Sequence, residues 1–168
     1  MKMTSAEANK LLRSLYDEQK NMLHNEKESA TFVAATVENL EDARPEYEYE
    51  LVQAKLKELE DRIRTVKHAI SVFNVSQEVP GTDMTIDQIL IYIPQLTERK
   101  RKLADMRSKA KKQRVTDYRS NNLIEYSYAN YDVSKAAADY QAVTDELSKV
   151  QNALDLVNST VRFDVNIL

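Results

Sequence analysis

The sequence holds no cysteine, no tryptophan, one glycine and three prolines in 168 residues. Without cysteine there is no disulfide framework, no thiolate nucleophile and no thiolate metal site, and the chain suits a reducing compartment. So few chain breakers argue against a many-stranded sheet, which needs many tight turns, and for a small number of long helices. No apolar run approaches the roughly 18 residues of a membrane span. The longest apolar patch, Ile89-Leu90-Ile91-Tyr92-Ile93, is short and lies inside a helical pattern. Met1-Lys2-Met3-Thr4-Ser5 contains no apolar core of a secretory signal, so a cytoplasmic protein without a transmembrane segment is expected.

Catalytic signatures are scarce as well. Neither of the two histidines, His24 and His68, follows a glutamate by three residues, which excludes the paired Glu-x-x-His of a carboxylate di-iron bundle. One glycine leaves no room for a Gly-rich phosphate loop. Serine and aspartate show no nucleophile elbow or triad context. These readings predict a protein that is not an enzyme and needs neither cofactor nor metal.

What the chain does have is periodicity. Thr4-x-x-Glu7 has the form of a capping box opening a first helix to about Asn25, with an apolar face of Ala8, Leu12, Leu15 and Met22. Tyr49, Val52, Leu56, Leu59, Ile63, Val66, Ile70 and Phe73 follow a 3-4 spacing without a miss, the a/d seam of a coiled coil. Pro45 stands where that helix's first turn is expected. Pro80-Gly81 fits the centre of a type II turn, and Thr85-x-x-Gln88 opens a third helix along Ile86, Ile89, Ile93, Leu96, Leu103, Met106 and Ala110. Pro94, inside that stripe, predicts a kink or a restart. Asp132 is a good N-cap for a fourth helix, whose seam runs Val133, Ala136, Tyr140, Val143, Leu147, Val150, Leu154 and Val157.

Three segments have strand character: Phe32 to Val37, the alternation Ile124, Tyr126, Tyr128, and the alternation Val161, Phe163, Val165, Ile167. Because an isolated strand cannot satisfy its own backbone, at least two of them are expected to pair. The predicted fold is mainly α, with antiparallel long-helix coiled-coil hairpins of four helices and a small β element formed by short extended segments.

Val66 to Ser76 and Val150 to Thr160 share the pattern Val-x-x-Ala-(Ile/Leu)-x-(Val/Leu)-(Phe/Val)-Asn-x-(Ser/Thr). The echo reads either as a single helical domain of two pseudo-repeated hairpins, about 1–80 and 81–168, or as the likeness that any two heptad helices share. Asn74 and Asn158 are expected at the helix exits, where asparagine tolerates the left-handed conformation.

Charge and aromatics are concentrated. Arg99, Lys100, Arg101, Lys102, Arg107, Lys109, Lys111, Lys112 and Arg114 face only Glu98 and Asp105 in residues 98–114, a net of +7. Glu38, Glu41, Asp42, Glu46, Glu48 and Glu50 against Arg44 give −5. If the second and third helices pair antiparallel, these stretches lie side by side and set the register. Alternatively the basic stretch tracks nucleic-acid phosphates, with Tyr118, Tyr126, Tyr128 and Tyr131 stacking bases or forming a partner surface. Antiparallel helices would gather those tyrosines with Tyr47 and Tyr49 at one end, as an aromatic mini-core or a binding surface.

Arg44-Pro45-Glu46-Tyr47, Lys67-His68-Ala69-Ile70, Val79 to Gln88, Ser120-Asn121-Asn122 with Ile124-Glu125-Tyr126, and Ala153 to Asn158 together resemble a group of small bacterial coiled-coil proteins, some labelled septicolysin. The resemblance covers nearly the whole chain and implies no catalytic residues; the label implies membrane activity. Three functions are therefore expected in turn: self-association or scaffolding as a homo-oligomer, nucleic-acid binding through the basic arm, and a septicolysin-like membrane activity. Leu51, Val72, Leu90 and Leu123 fall off the seams and are candidates for an interface with a second subunit.

Overall fold

A computed structural model describes residues 1–115 and 124–167. In chain order its elements are β1 (Lys2–Thr4), α1 (Ser5–Ser29), α2 (Leu40–Ala43), α3 (Tyr49–Ser76), α4 (Ile86–Arg107), β2 (Lys112–Arg114), β3 (Tyr126–Tyr128), α5 (Val133–Thr160) and β4 (Arg162–Asp164). The fold is mainly helical with two small antiparallel sheets, β1 with β4 and β2 with β3. The chain forms two compact units, Met1–Ser76 with Leu156–Leu168, and Gln77–Asp155.

In the first unit α1 runs antiparallel to α3, as the pairs Gln19–Glu60 and Glu26–Gln53 require. Thr4 caps α1 in a complete capping box: its hydroxyl accepts from the Glu7 amide, and the Glu7 carboxylate accepts from the Thr4 amide at 2.9 Å. Ala8 and Leu15 of α1 pack with Leu59, Ile63, Val66 and Ile70 of the α3 seam, and Val165 completes this core. Phe163 and Ile167 pack against it while Arg162, Asp164 and Asn166 face solvent, so the predicted alternation holds through the C-terminal segment. Its partner is β1, with Met3 opposite Phe163. No alternating apolar pattern marks β1; it is a strand because β4 offers it backbone partners.

Three expectations for this unit are corrected. Phe32 to Val37 forms no strand: Val33 and Val37 are almost fully exposed, and the Ala35 amide donates instead to the Glu38 carboxylate at 2.8 Å. With no neighbouring strand, β propensity alone cannot order it. α3 opens at Tyr49 rather than at Pro45. Arg44 precedes a proline and is held extended (φ −72°, ψ 123°), which also ends the single turn of α2. Tyr47 is tied by its hydroxyl to Glu26 at 2.9 Å, and the first α3 hydrogen bond runs from the Val52 amide to the Glu48 carbonyl. Finally, Asn74 lies inside α3, as Asn158 lies inside α5; both helices continue two residues further.

In the second unit Pro80-Gly81 makes the expected turn, with Gly81 at φ 77° and the Thr82 amide bonded to the Val79 carbonyl at 3.1 Å. Thr85 caps α4 in a second capping box with Gln88. Leu96 and Leu103 of α4 pack with Val143 and Leu147 of α5, flanked by Tyr92, Ile93, Met106 and Tyr140. Tyr92 donates to Glu146 across the same pair. Pro94 neither breaks nor restarts α4, which runs unbroken through it. It sits on the exposed face, where water can satisfy the Leu90 carbonyl it leaves without a donor. Asp132 caps α5, accepting from the Ser134 amide at 2.8 Å. β3 pairs with β2 and β4 with β1, so the expectation that two of the three predicted segments pair with each other is corrected.

Candidate functional site

The basic residues divide between three settings. Arg99, Lys100, Arg101, Lys102 and Arg107 lie on α4, which ends at Arg107 rather than reaching Ala110. Lys109 and Lys111 lie in the connection, and Lys112 and Arg114 in β2. The stretch is therefore not one helical arm. Consecutive helical residues point about 100° apart, so Arg99 to Lys102 surround α4 instead of forming a stripe. Arg101 is paired with Glu98 at 2.6 Å, which raises its pKa and lowers that of the carboxylate.

Aromatic rings order several of these cations. The Arg107 guanidinium lies 3.6 Å from the Tyr140 ring centroid and Lys100 Nζ lies 5.8 Å from it. Lys112 Nζ sits 4.1 Å from the Tyr126 ring and 5.6 Å from the Tyr128 ring. Cation–π contacts of this kind hold both partners in place. All residues of β2 and β3 are exposed, so Lys112, Arg114, Tyr126 and Tyr128 form an accessible cationic and aromatic end to this unit. Tyr131 is different: its hydroxyl donates to the Met106 carbonyl at 2.7 Å and closes the end of α4. Tyr118 lies outside the described residues. Tyr140 went unrecognised as a cation partner because its place on the α5 seam marks it only as core.

The acidic stretch is arranged around the other hairpin. Since α3 packs on α1, Glu46 and Glu48 stand beside the C-terminal half of α1. The described partner of α3 within its unit is α1, and apolar packing selects that pair. Glu18, Glu26, Glu46, Glu48, Met22, Leu51 and Val52 line a cleft of about 820 Å³. Its wall is fixed by Glu26, which accepts from both Tyr47 and Gln53 Nε2, at 2.9 and 2.6 Å. Desolvation raises the Tyr47 pKa, and the bond to Glu26 raises it further. Tyr47 thus belongs to this cleft, Tyr49 is 64% exposed, and Tyr126, Tyr128 and Tyr131 lie in the other unit.

Two smaller clefts lie among the described residues. One, about 340 Å³, is lined by His68, Val72, Phe73 and Phe163; the other, about 420 Å³, lies along Met106, Lys109, Tyr128 and Tyr131. His24 and His68 are both exposed. Among the described residues no group of histidine, aspartate and glutamate is placed to hold a metal ion, and no helix is long and apolar enough to cross a membrane.

No family model and no curated protein matches this sequence. Among solved structures, a functionally unknown conserved protein from Corynebacterium diphtheriae is similar at a TM-score of 0.59 and 16% identity, over 98% of this chain and 100% of that one. The likeness is one of fold.

Proposed function

We propose that the protein is a non-enzymatic helical scaffold that self-associates. The carrying observation is what remains exposed after the heptad seams have been used. Leu59, Ile63, Val66 and Ile70 of the α3 seam pack with α1, and Val143 and Leu147 of the α5 seam pack with α4. Leu51, Val72 and Leu90 nevertheless stay 47%, 53% and 48% exposed. Ile91, Val75 and Leu156 are exposed as well. Leu123 lies outside the described residues. Apolar side chains left over on helices whose cores are complete favour burial against another subunit. Light scattering over rising concentration tests the reading: a mass above that of one chain supports it, and one chain at every concentration removes it. A cytoplasmic setting suits a chain with no thiols to protect.

The exposure of Lys112, Arg114, Tyr126 and Tyr128 favours a second reading, nucleic-acid binding. Charged contacts with phosphates and stacking on tyrosine are its physical basis. Binding that weakens steeply with salt and with Lys112→Ala supports this reading, and no binding at low salt removes it.

A further inference from the structure

This inference rests on the self-association proposed above and names the contact that produces it. We propose that the β2–β3 end of one copy docks into the acidic cleft between α1 and α3 of a second copy.

The two surfaces are complementary in charge and in apolar content. The cleft is lined by apolar Met22, Leu51 and Val52 together with the carboxylates of Glu18, Glu46 and Glu48, and Lys55 is the one cation on its lining. The β2–β3 end offers the reverse: tyrosine rings carrying cations. Tyr126 is 43% exposed and Tyr128 63%, and Lys112 is held against both rings. Rings of this kind bury apolar area at small entropic cost while the attached ammonium reaches a carboxylate rim.

Neither surface is neutralised where it stands. Among the described residues, the ion pairs Arg44–Glu41, Arg64–Asp61, Arg101–Glu98 and Arg162–Glu7 leave out Lys112, Arg114, Glu18, Glu46 and Glu48. The surrounding stretches carry net charges of +7 and −5, while the whole chain carries only −3. A protein with nearly balanced charge but strongly separated signs is attracted to its own copies in one orientation and repelled in others. The cleft has the ~300–1,000 Å³ typical of a concave site, and its wall is pre-formed by the Tyr47–Glu26–Gln53 bonds. The contact is heterologous: each copy offers one surface of each kind.

Two charge-reversed proteins test the contact. Glu46→Lys with Glu48→Lys makes the cleft basic; Lys112→Glu with Arg114→Glu makes the β2–β3 end acidic. All four positions are exposed, and circular dichroism checks that both proteins keep their helices. Glu18→Lys, on the body of α1, repeats the first test away from the start of α3. Sedimentation velocity at about 0.01 M salt, where screening extends over about 30 Å, reads the association. Each reversed protein should associate at least tenfold more weakly than the wild type, and an equimolar mixture of the two should recover wild-type association. If each folded variant associates as the wild type does, or the mixture stays as weak as its components, the contact is overturned while self-association stands. A wild type that is monomeric at low salt overturns both. Loss of RNA binding on reversal of the β2–β3 end, with self-association unchanged, also overturns the contact.

Discussion

Phe163 of β4 stacks on Phe73 near the end of α3, with ring centroids 4.3 Å apart and planes 15° from parallel. The contact attaches the C-terminal segment to the first helical hairpin, alongside the backbone pairing of β4 with β1. Phe73 is buried, so Phe73→Ala should cost about 3–5 kcal/mol, the usual toll for a buried phenylalanine. Phe163→Leu keeps most of the volume and should cost less than about 1.5 kcal/mol. Urea unfolding checks both, through midpoints that shift while the slope holds.

The two capping boxes give a second prediction. Thr4 and Thr85 each satisfy an amide three residues on, and each helix returns a side chain to the cap. Thr4→Ala should destabilise by about 1 kcal/mol, lowering the melting temperature by roughly 2–4 °C, whereas Thr4→Ser should stay close to wild type. Thermal unfolding followed by circular dichroism reads the difference.

Acid should weaken the fold through two carboxylates. Hydrogen bonding from the Thr4 amide lowers the Glu7 pKa, and the Ser134 and Lys135 amides lower that of Asp132. For each, the folded value lies below the ordinary values of 4.5 and 3.8. The stabilisation is therefore complete above those values and is lost as pH falls through the lower, folded ones. Asp132→Asn keeps a cap that cannot ionise, so its stability should vary less across that acid range. Urea midpoints measured at a series of acid pH values show whether the slope flattens.

Gly81 supplies a fourth test. It adopts φ 77°, yet a Cβ added there would meet nothing within 4 Å. The cost of Gly81→Ala is thus conformational rather than steric crowding, about 1–2 kcal/mol. Gly81→Asn should cost less, because asparagine visits the left-handed region more readily. Equilibrium denaturation of both variants gives the ranking, and equal losses would contradict the conformational account.

The helical seams were legible because period is a local property: Leu56, Leu59, Ile63 and Val66 specify one buried face whatever packs on it. The partner was not legible. The charge pattern points to no partner for the middle of α3, yet Ala8 and Leu15 of α1 pack with its Leu59, Ile63, Val66 and Ile70. Small strands escaped for a related reason. Lys112-Gln113-Arg114 has no strand pattern and becomes one only opposite Tyr126-Ser127-Tyr128, while Phe32 to Val37 has strand composition and no partner. Of the candidate site, Lys112, Arg114, Tyr126 and Tyr128 are brought together; Tyr131 is used by the Met106 carbonyl, and Arg101 by Glu98. The acidic cleft depends on Glu26 meeting Tyr47 across a loop, which no spacing rule reveals.

The echo between the ends of α3 and α5 extends beyond sequence. The residue two after Ser76, Glu78, bridges to the cap Thr85; the residue two after Thr160, Arg162, lies opposite the cap Thr4. We propose that the two hairpins descend from one duplicated unit. A failure of α1–α3 to superpose on α4–α5 would contradict this.

Self-association is the claim on which the functional account turns, and sedimentation velocity of the wild-type chain over a wide concentration range at low and high salt tests it most directly. The mass should lie above the 19.4 kDa of one chain, rise with concentration and fall as salt is added. A single 19.4 kDa species under all of these conditions would contradict it.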